Sequence, residues 1–280
     1  MLKEIYLDAL KNKESKVSKI KDSNYGAIIS EAHSRWIPYE PAPVKCESAG
    51  VDSSWNKRAF QGLNLYVVDA VAVTGKNKVL AVEYENEIAD SARRDSLESK
   101  AMLMEASVTQ QAAEKKETDV ICIDGSLVAR TGGKSHSLAI EMAQKYGDAV
   151  FISKSSESRA QFGSLGSRAG DIYYYNHAGS SSSAGFSEPM PVKSDFAKIF
   201  EVYARLRDHT PMLRLEVVGN TDMQEMKGLL DKISYHSVSG YPYCLKLAHN
   251  NCKVSNEDID KLVSIFSLQN EQGARDALNE

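Results

Sequence analysis

Residues 45–85, KCESAGVDSSWNKRAFQGLNLYVVDAVAVTGKNKVLAVEYE, contain three successive runs rich in β-branched and apolar residues. The first ends near Asp52, the second is LNLYVVDAVAVTG (63–75), and the third is KVLAVEYE (78–85). TGKNK (74–78) has the composition of a hairpin turn between the last two. Together they predict a meander of three strands.

The pattern changes downstream. From about Glu87 to Lys116 the chain lacks Gly and Pro, and Leu97, Ala101, Met104 and Val108 recur at helical spacing, which predicts a long helix. Then follow the apolar run DVICID (119–124), a helix expected over residues 135–146, and the strand AVFISKS (149–155). The resulting order, βββαβαβ, predicts a mixed α/β sheet of the ribonuclease H-like class. Strands separated by helices add in parallel to the initial meander, with helices covering the faces.

Upstream, Leu2, Ile5, Tyr6 and Ala9, then Val17 and Ile20, mark a weakly amphipathic helix, and a short second helix is expected over 27–34. The prolines of IPYEPAP (37–43) predict an extended connector, so residues 1–44 form an N-terminal helical segment ahead of the core at 45–155. Residues 156–192 shift sharply toward Ser, Gly and Tyr and include GSSSSAG, which reads as a flexible loop or hairpin insertion. The C-terminal part, 193–280, is expected to contain a helix over 194–207, the strand PMLRLEVVG (211–219) and a helix from about Asp222. A closing helix would be opened by Ser255 and Asp258 as a capping box.

The 280 residues suffice for a sizeable core, and the net charge of −4 provides no global basic footprint. Any nucleic-acid surface must therefore be local. Cys46, Cys122, Cys244 and Cys252 form no CxxC pair, which predicts a reducing cytoplasmic setting and no zinc site. No stretch has the apolar length of a membrane span, and the N-terminus has no apolar leader, so neither a membrane nor a secreted location is expected.

The chemistry lies in the acids. Asp52 and Asp124 follow apolar strands, and Glu105 sits on the helix between them, a set that matches the carboxylate count of a metal-dependent phosphodiesterase. Taken singly, each has a plainer reading. Asp often forms turns, Asp-Gly is itself a turn dipeptide, and Glu98, Glu105 and Glu114 share similar spacing on one acidic helix. Tyr241 and His249, eight residues apart in GYPYCLKLAH, would come near one side of a helix begun after Pro242, where His249 is either a ligand or a packed, hydrogen-bonded residue. Lys154, at a strand end, is either a phosphate partner or a solvated lysine, and Arg130 and Arg159 are candidate backbone contacts for nucleic acid.

GVDSSWNKRAFQGLNLYVVDAVAV, ICIDGSL, FISKSS, LRLEVV and GYPYCLKLAH occur in this order and together resemble the NurA nuclease family of archaea and some bacteria, a resemblance that runs from Asp52 to about Ile265. The resemblance implies a Mn²⁺- or Mg²⁺-dependent DNA nuclease acting 5′ to 3′ in end resection and double-strand break repair. It also implies a hexameric HerA ATPase as partner and a homodimeric state. By motif, Asp52, Glu105, Asp124, Tyr241 and His249 take the catalytic positions, with Asp52, Glu105, Asp124 and His249 at the metal. Two other readings compete: a catalytically weak accessory protein of a ring ATPase, and an actin-like or sugar-kinase-type ATP-binding domain. The latter normally requires two such domains and more glycine-rich phosphate loops.

Overall fold

In a computed structural model, which describes residues 2–21, 24–130, 140–141, 149–178, 182–192 and 197–271, the meander is β2 (Ser48–Ala59), β3 (Asn64–Thr74) and β4 (Val79–Ala89), paired antiparallel throughout. The Thr74 N–H donates to Lys78 O and Asn77 takes a positive φ of 63°, which closes the expected TGKNK hairpin. Helix α3 (Arg94–Glu114) then leads to β5 (Val120–Asp124), and the chain returns as β6 (Ala149–Ser153). β5 lies parallel to β2 and β6 parallel to β5. The order β4-β3-β2-β5-β6 is that of a ribonuclease H-like sheet. The helix expected over 135–146 lies outside the described residues except at 140–141.

Beyond β6 the sheet continues antiparallel through β10 (Leu213–Val218) and β9 (Ile199–Arg205) to β7 (Gly185–Ser187) and β1 (Trp36–Pro38), with β8 (Met190–Val192) also on β9. Alternation divides its side chains between two helical layers. Val51, Ala70, Ala72, Ile121 and Ile123 pack with Val108 and Ala112 of α3 on one face. On the other, Cys122, Val150, Ile152 and Leu215 meet α5 (Met223–Tyr235) and α6 (Tyr243–Cys252), while α7 (Asn256–Ile265) covers Leu65. Asp222 and Ser255 cap α5 and α7 with complete capping boxes, as expected for Ser255 with Asp258.

Several sequence expectations need correction. β2 does not end near Asp52 but runs seven residues further, because its outer half pairs fully with β3 from Ser53↔Ala70 to Ala59↔Asn64. β4 extends to Ala89, so the long helix begins at Arg94 rather than near Glu87. Within the described part of the helix expected over 194–207, residues 199–205 form strand β9 instead, since IFEVYAR pairs with β10 on one side and β7 on the other and is buried as an interior strand, Glu201 and Arg205 included. The Ser/Gly/Tyr-rich segment contains a short helix, α4 (Asp171–His177), together with β7 and β8. Its tyrosines are the reason for this order: Tyr174 and Tyr175 are buried against Phe162, Tyr203 and α2 (Tyr25–Ser34). Ile37 and Pro38 of the expected connector belong to edge strand β1, where a missing N–H is tolerated. Helix α1 (Leu2–Ser18) buries no residue. Among the described residues no helix is long and apolar enough to cross a membrane, and all four cysteines are free and buried.

Two positions test this packing. A Cβ at Gly50 would lie 2.3 Å from the Cys244 backbone carbonyl carbon, whereas one at Gly228 inside α5 would meet nothing within 4 Å. Gly50→Ala should therefore destabilise by about 2 kcal/mol or more, while Gly228→Ala should stabilise by roughly 0.5–1 kcal/mol through helix propensity. Urea midpoints of the two variants measure the contrast. Asp69, inside β3, has a buried Oδ1 without a partner, and burial followed by the charge of Asp52 pushes its carboxyl from 3.8 up to about 7. The folded state then holds a proton that the unfolded chain releases, so this residue costs stability as pH rises from about 4 to about 7. The advantage of Asp69→Asn over wild type in EDTA should be larger at pH 8 than at pH 5 by thermal denaturation.

Candidate metal centre

Asp52 and Asp124 lie on neighbouring strands, the parallel pair β2 and β5. In each strand the even-numbered positions (Gly50, Asp52 and Val120, Cys122, Asp124) face α6, so the two carboxylates share one side of the sheet. Helix α6 reaches them because Gly50 has no side chain and the first turn of the helix rests on the strand there. His249, on the second turn, places Nδ1 3.0 Å from Asp52 Oδ2, with the imidazole more than half exposed and the carboxylate nearly buried. Tyr241 precedes the helix in a two-residue strand, β12 (Tyr241–Pro242), paired with β11 (Ser237–Val238), and its hydroxyl donates to Asp124 Oδ1 at 3.3 Å. The eight-residue spacing thus joins a strand residue to a helix residue rather than two helix residues, yet both reach the acids.

Lys154 follows β6, the strand next to β5. Its Nζ lies 3.8 Å from Asp124 Oδ2 and 4.8 Å from the centroid of the Tyr241 ring. With Pro211, Leu213, Lys246 and His249, these two residues line an about 380 Å³ pocket beside the acids. Lysines at its rim and apolar carbon within suit an anionic ligand that has a flat apolar part.

Glu105 arrives from the opposite face. It projects from α3, is buried, and accepts a hydrogen bond from Ser53 Oγ, one residue beyond Asp52. The Ser53 N–H meanwhile donates to Asp52 Oδ1 at 2.8 Å, so Ser53 links the two acids. Arg159 is exposed after β6, and the Arg130 side chain lies outside the described residues.

The electrostatics fit a site that takes a cation. Burial raises the Asp52 carboxyl above its ordinary value, and the negative charge of Asp124 raises it further. Hydrogen bonds from His249 and Ser53 pull it back. Tyr241 is held neutral, first by burial and then by Asp124. Among the described residues, no three His, Cys, Asp or Glu side chains form a ready-made ligand set. The donors do suit a hard divalent ion: two neighbouring carboxylates whose repulsion a cation would relieve, a third carboxylate, Glu105, linked to Asp52 through Ser53, and an imidazole already seated on Asp52. Asp69 and Cys252 also border Asp52 and were missed in the sequence reading. An aspartate inside the apolar run LYVVDAVAV was the available signal for the first, while nothing in the sequence marked the second.

The comparisons with known proteins agree in one direction. The DNA double-strand break repair nuclease NurA of Saccharolobus solfataricus is 22% identical to this chain, over 85% of this chain and 85% of its own length. The crystal structure of the NurA nuclease from Sulfolobus solfataricus has the same fold, with a TM-score of 0.81 at 20% identity, covering 96% of this chain and 97% of that one. A crystal structure of NurA bound to dAMP and manganese is similar at a TM-score of 0.66 and 13% identity, over 98% of this chain and 99% of its own. The NurA domain model matches residues 47–254, which span β2 through α6 and so every acid described above, and this chain belongs to the NurA family.

Proposed function

We propose that this chain is a Mn²⁺- or Mg²⁺-dependent deoxyribonuclease that hydrolyses phosphodiester bonds in DNA end resection and double-strand break repair. The observation that carries the reading is the Asp52–Asp124 pair on adjacent parallel strands with His249 seated on Asp52. Family membership supports it, because the curated relative is a break-repair nuclease and a related structure holds manganese with a nucleotide. Digestion from 5′ ends, possession of single-strand endonuclease activity, a HerA-type hexameric ATPase as partner, a homodimeric state and a cytoplasmic, DNA-associated location complete the proposal.

Asp52 and Asp124 would hold the ion, with Glu105 and His249 completing its surroundings. When bound there, the ion would supply an acidified water and neutralise charge at the scissile phosphate. The residues of the chain do the rest. Asp52 fixes the orientation of the His249 ring through Nδ1, which leaves Nε2 of the exposed imidazole available to the ion. Lys154 offers a positive charge beside Asp124, where a phosphate oxygen would otherwise face the negative charge of the carboxylates. Tyr241, neutral and directed at Asp124, forms the wall that positions the strand and braces that carboxylate. Lys154, Arg159 and Arg130 would grip the backbone without regard to sequence.

Linear DNA labelled at its 5′ or its 3′ end, incubated with Mn²⁺, Mg²⁺ or EDTA, tests the reading. Metal-dependent release of the 5′ label first is expected, and Asp52→Ala or Asp124→Ala should reduce the rate by roughly 10²-fold or more. Cleavage that persists in Asp52→Ala would contradict the assignment. Lys154→Ala should weaken DNA binding evenly across sequences and reduce the slope of log affinity against log salt by about 1, read by fluorescence anisotropy at several salt concentrations.

A further inference from the structure

Three charged side chains are sealed inside the sheet away from the acids, and their hydrogen bonds lead back to Asp124. Glu216 on β10 and Glu201 on β9 are direct cross-strand partners, with 1% and 0% of their side chains exposed. Like charges placed opposite each other in a sheet repel, and burial removes the water that would screen them. Arg214, 4% exposed and two residues along β10, bridges the two. Its Nη2 lies 2.6 Å from Glu216 Oε1, and its Nε donates to Glu201 Oε2 at 2.6 Å. One cation for two buried carboxylates is a poor choice if stability alone is served, since apolar residues of similar volume commonly do as well or better.

What the ladder holds accounts for it. Glu216 Oε2 accepts the N–H groups of Leu127 and Val128, and its Oε1 accepts Ser126 Oγ at 2.7 Å. Ser126 Oγ in turn accepts from Arg214 Nη1 at 2.7 Å and from the Ala129 N–H at 3.0 Å, which uses its full bonding capacity. Apart from Arg214, these donors belong to the turn that begins with Asp124 and Gly125, where Gly125 takes a φ of 94° and its N–H donates to Ile152 O. Glu201 performs the same service for the segment after β6, accepting Ser158 Oγ at 2.9 Å and Gln161 Nε2 at 3.3 Å. One buried ion ladder thus fastens the loops leaving both β5 and β6, the strands whose ends carry Asp124 and Lys154.

We propose that Glu216, with Arg214, is a positioning residue for Asp124: the pair locks the Gly125–Val128 turn so that the Asp124 carboxylate is set for the metal before the metal arrives. This inference rests on the metal site proposed above. Outer partners that orient a ligand typically alter metal affinity by 10- to 100-fold without touching the ion. Asp124 here is oriented through its own backbone turn, and the acceptor comes from a strand two places away in the sheet.

The test is Mn²⁺ binding by the whole chain without DNA, followed by the loss of the free-ion signal in electron paramagnetic resonance. Glu216→Gln keeps the shape but removes the charge and one acceptor, and Ser126→Ala removes only the hydroxyl that joins the turn to the ladder. Both variants should bind Mn²⁺ about tenfold or more weakly, and Glu216→Asp should recover part of the loss. In a double-variant cycle, Glu216→Gln should add little to Asp124→Asn, because the residue acts through that carboxylate. Unchanged Mn²⁺ affinity in a folded Glu216→Gln protein, or full additivity with Asp124→Asn, would overturn the inference while leaving the metal site intact. Should Glu216→Gln fail to fold, unchanged affinity in Ser126→Ala would overturn it equally. Failure of the wild-type chain to bind Mn²⁺ at all would remove both this inference and the reading on which it rests.

Discussion

The site depends on the absence of a side chain at Gly50. Helix α6 sits so close to β2 that its backbone occupies the space a Cβ would need, and this contact sets the depth and direction of the helix on the sheet. His249 then falls opposite Asp52, two residues along the strand, and Tyr241, immediately ahead of the helix, falls opposite Asp124 on β5. The parallel pairing of β2 with β5 supplies the second carboxylate, because it aligns the two strands at the same end. Had β5 joined antiparallel, Asp124 would lie at the far end of the sheet from Asp52.

Given that geometry, charge is the remaining constraint. Asp52 is buried beside Asp124, and its proton affinity rises for both reasons. His249 and Ser53 partly compensate, and Ser53 also ties Asp52 to Glu105 across the sheet. Lys154 is a cation beside Asp124, but it is half exposed and 3.8 Å away, a weak counterion in water. Acids arranged in this manner favour a divalent ion, which gains from each carboxylate what the side chains lose to one another. The chain has invested in order around this site from behind as well, through the sealed Arg214 bridge between Glu201 and Glu216.

The core was legible in the sequence because its periods are clean. Alternation in residues 63–75, a Gly- and Pro-free helix and the isolated run DVICID lead directly to β3, α3 and β5. The family resemblance implied only that Tyr241 and His249 share a site with the two aspartates; that Tyr241 stands at Asp124 and His249 at Asp52 is visible in the structure alone. β9 was misread because IFEVYAR has both the length and the apolar content of a short buried helix, and only pairing with β10 and β7 decides between the two. The order in 156–192 was hidden by composition: serine and glycine dominate the count, while a few tyrosines supply the packing. Glu105 was placed on the correct helix, but its approach from the opposite face through Ser53 depends on layer geometry that periodicity does not contain. The ladder at Arg214 was equally out of reach, since an Arg and a Glu in LRLEVV look like the solvent-facing half of an edge strand until the strand is found in the sheet interior.

The central claim is that Asp52 and Asp124 together hold one divalent ion. Crystals of the chain soaked in MnCl₂ and measured at the manganese absorption edge test it most directly. An anomalous peak bounded by the Asp52 and Asp124 carboxylates is the expected result. Manganese found only elsewhere on the surface, with these two carboxylates open to solvent and unbound, would contradict the account.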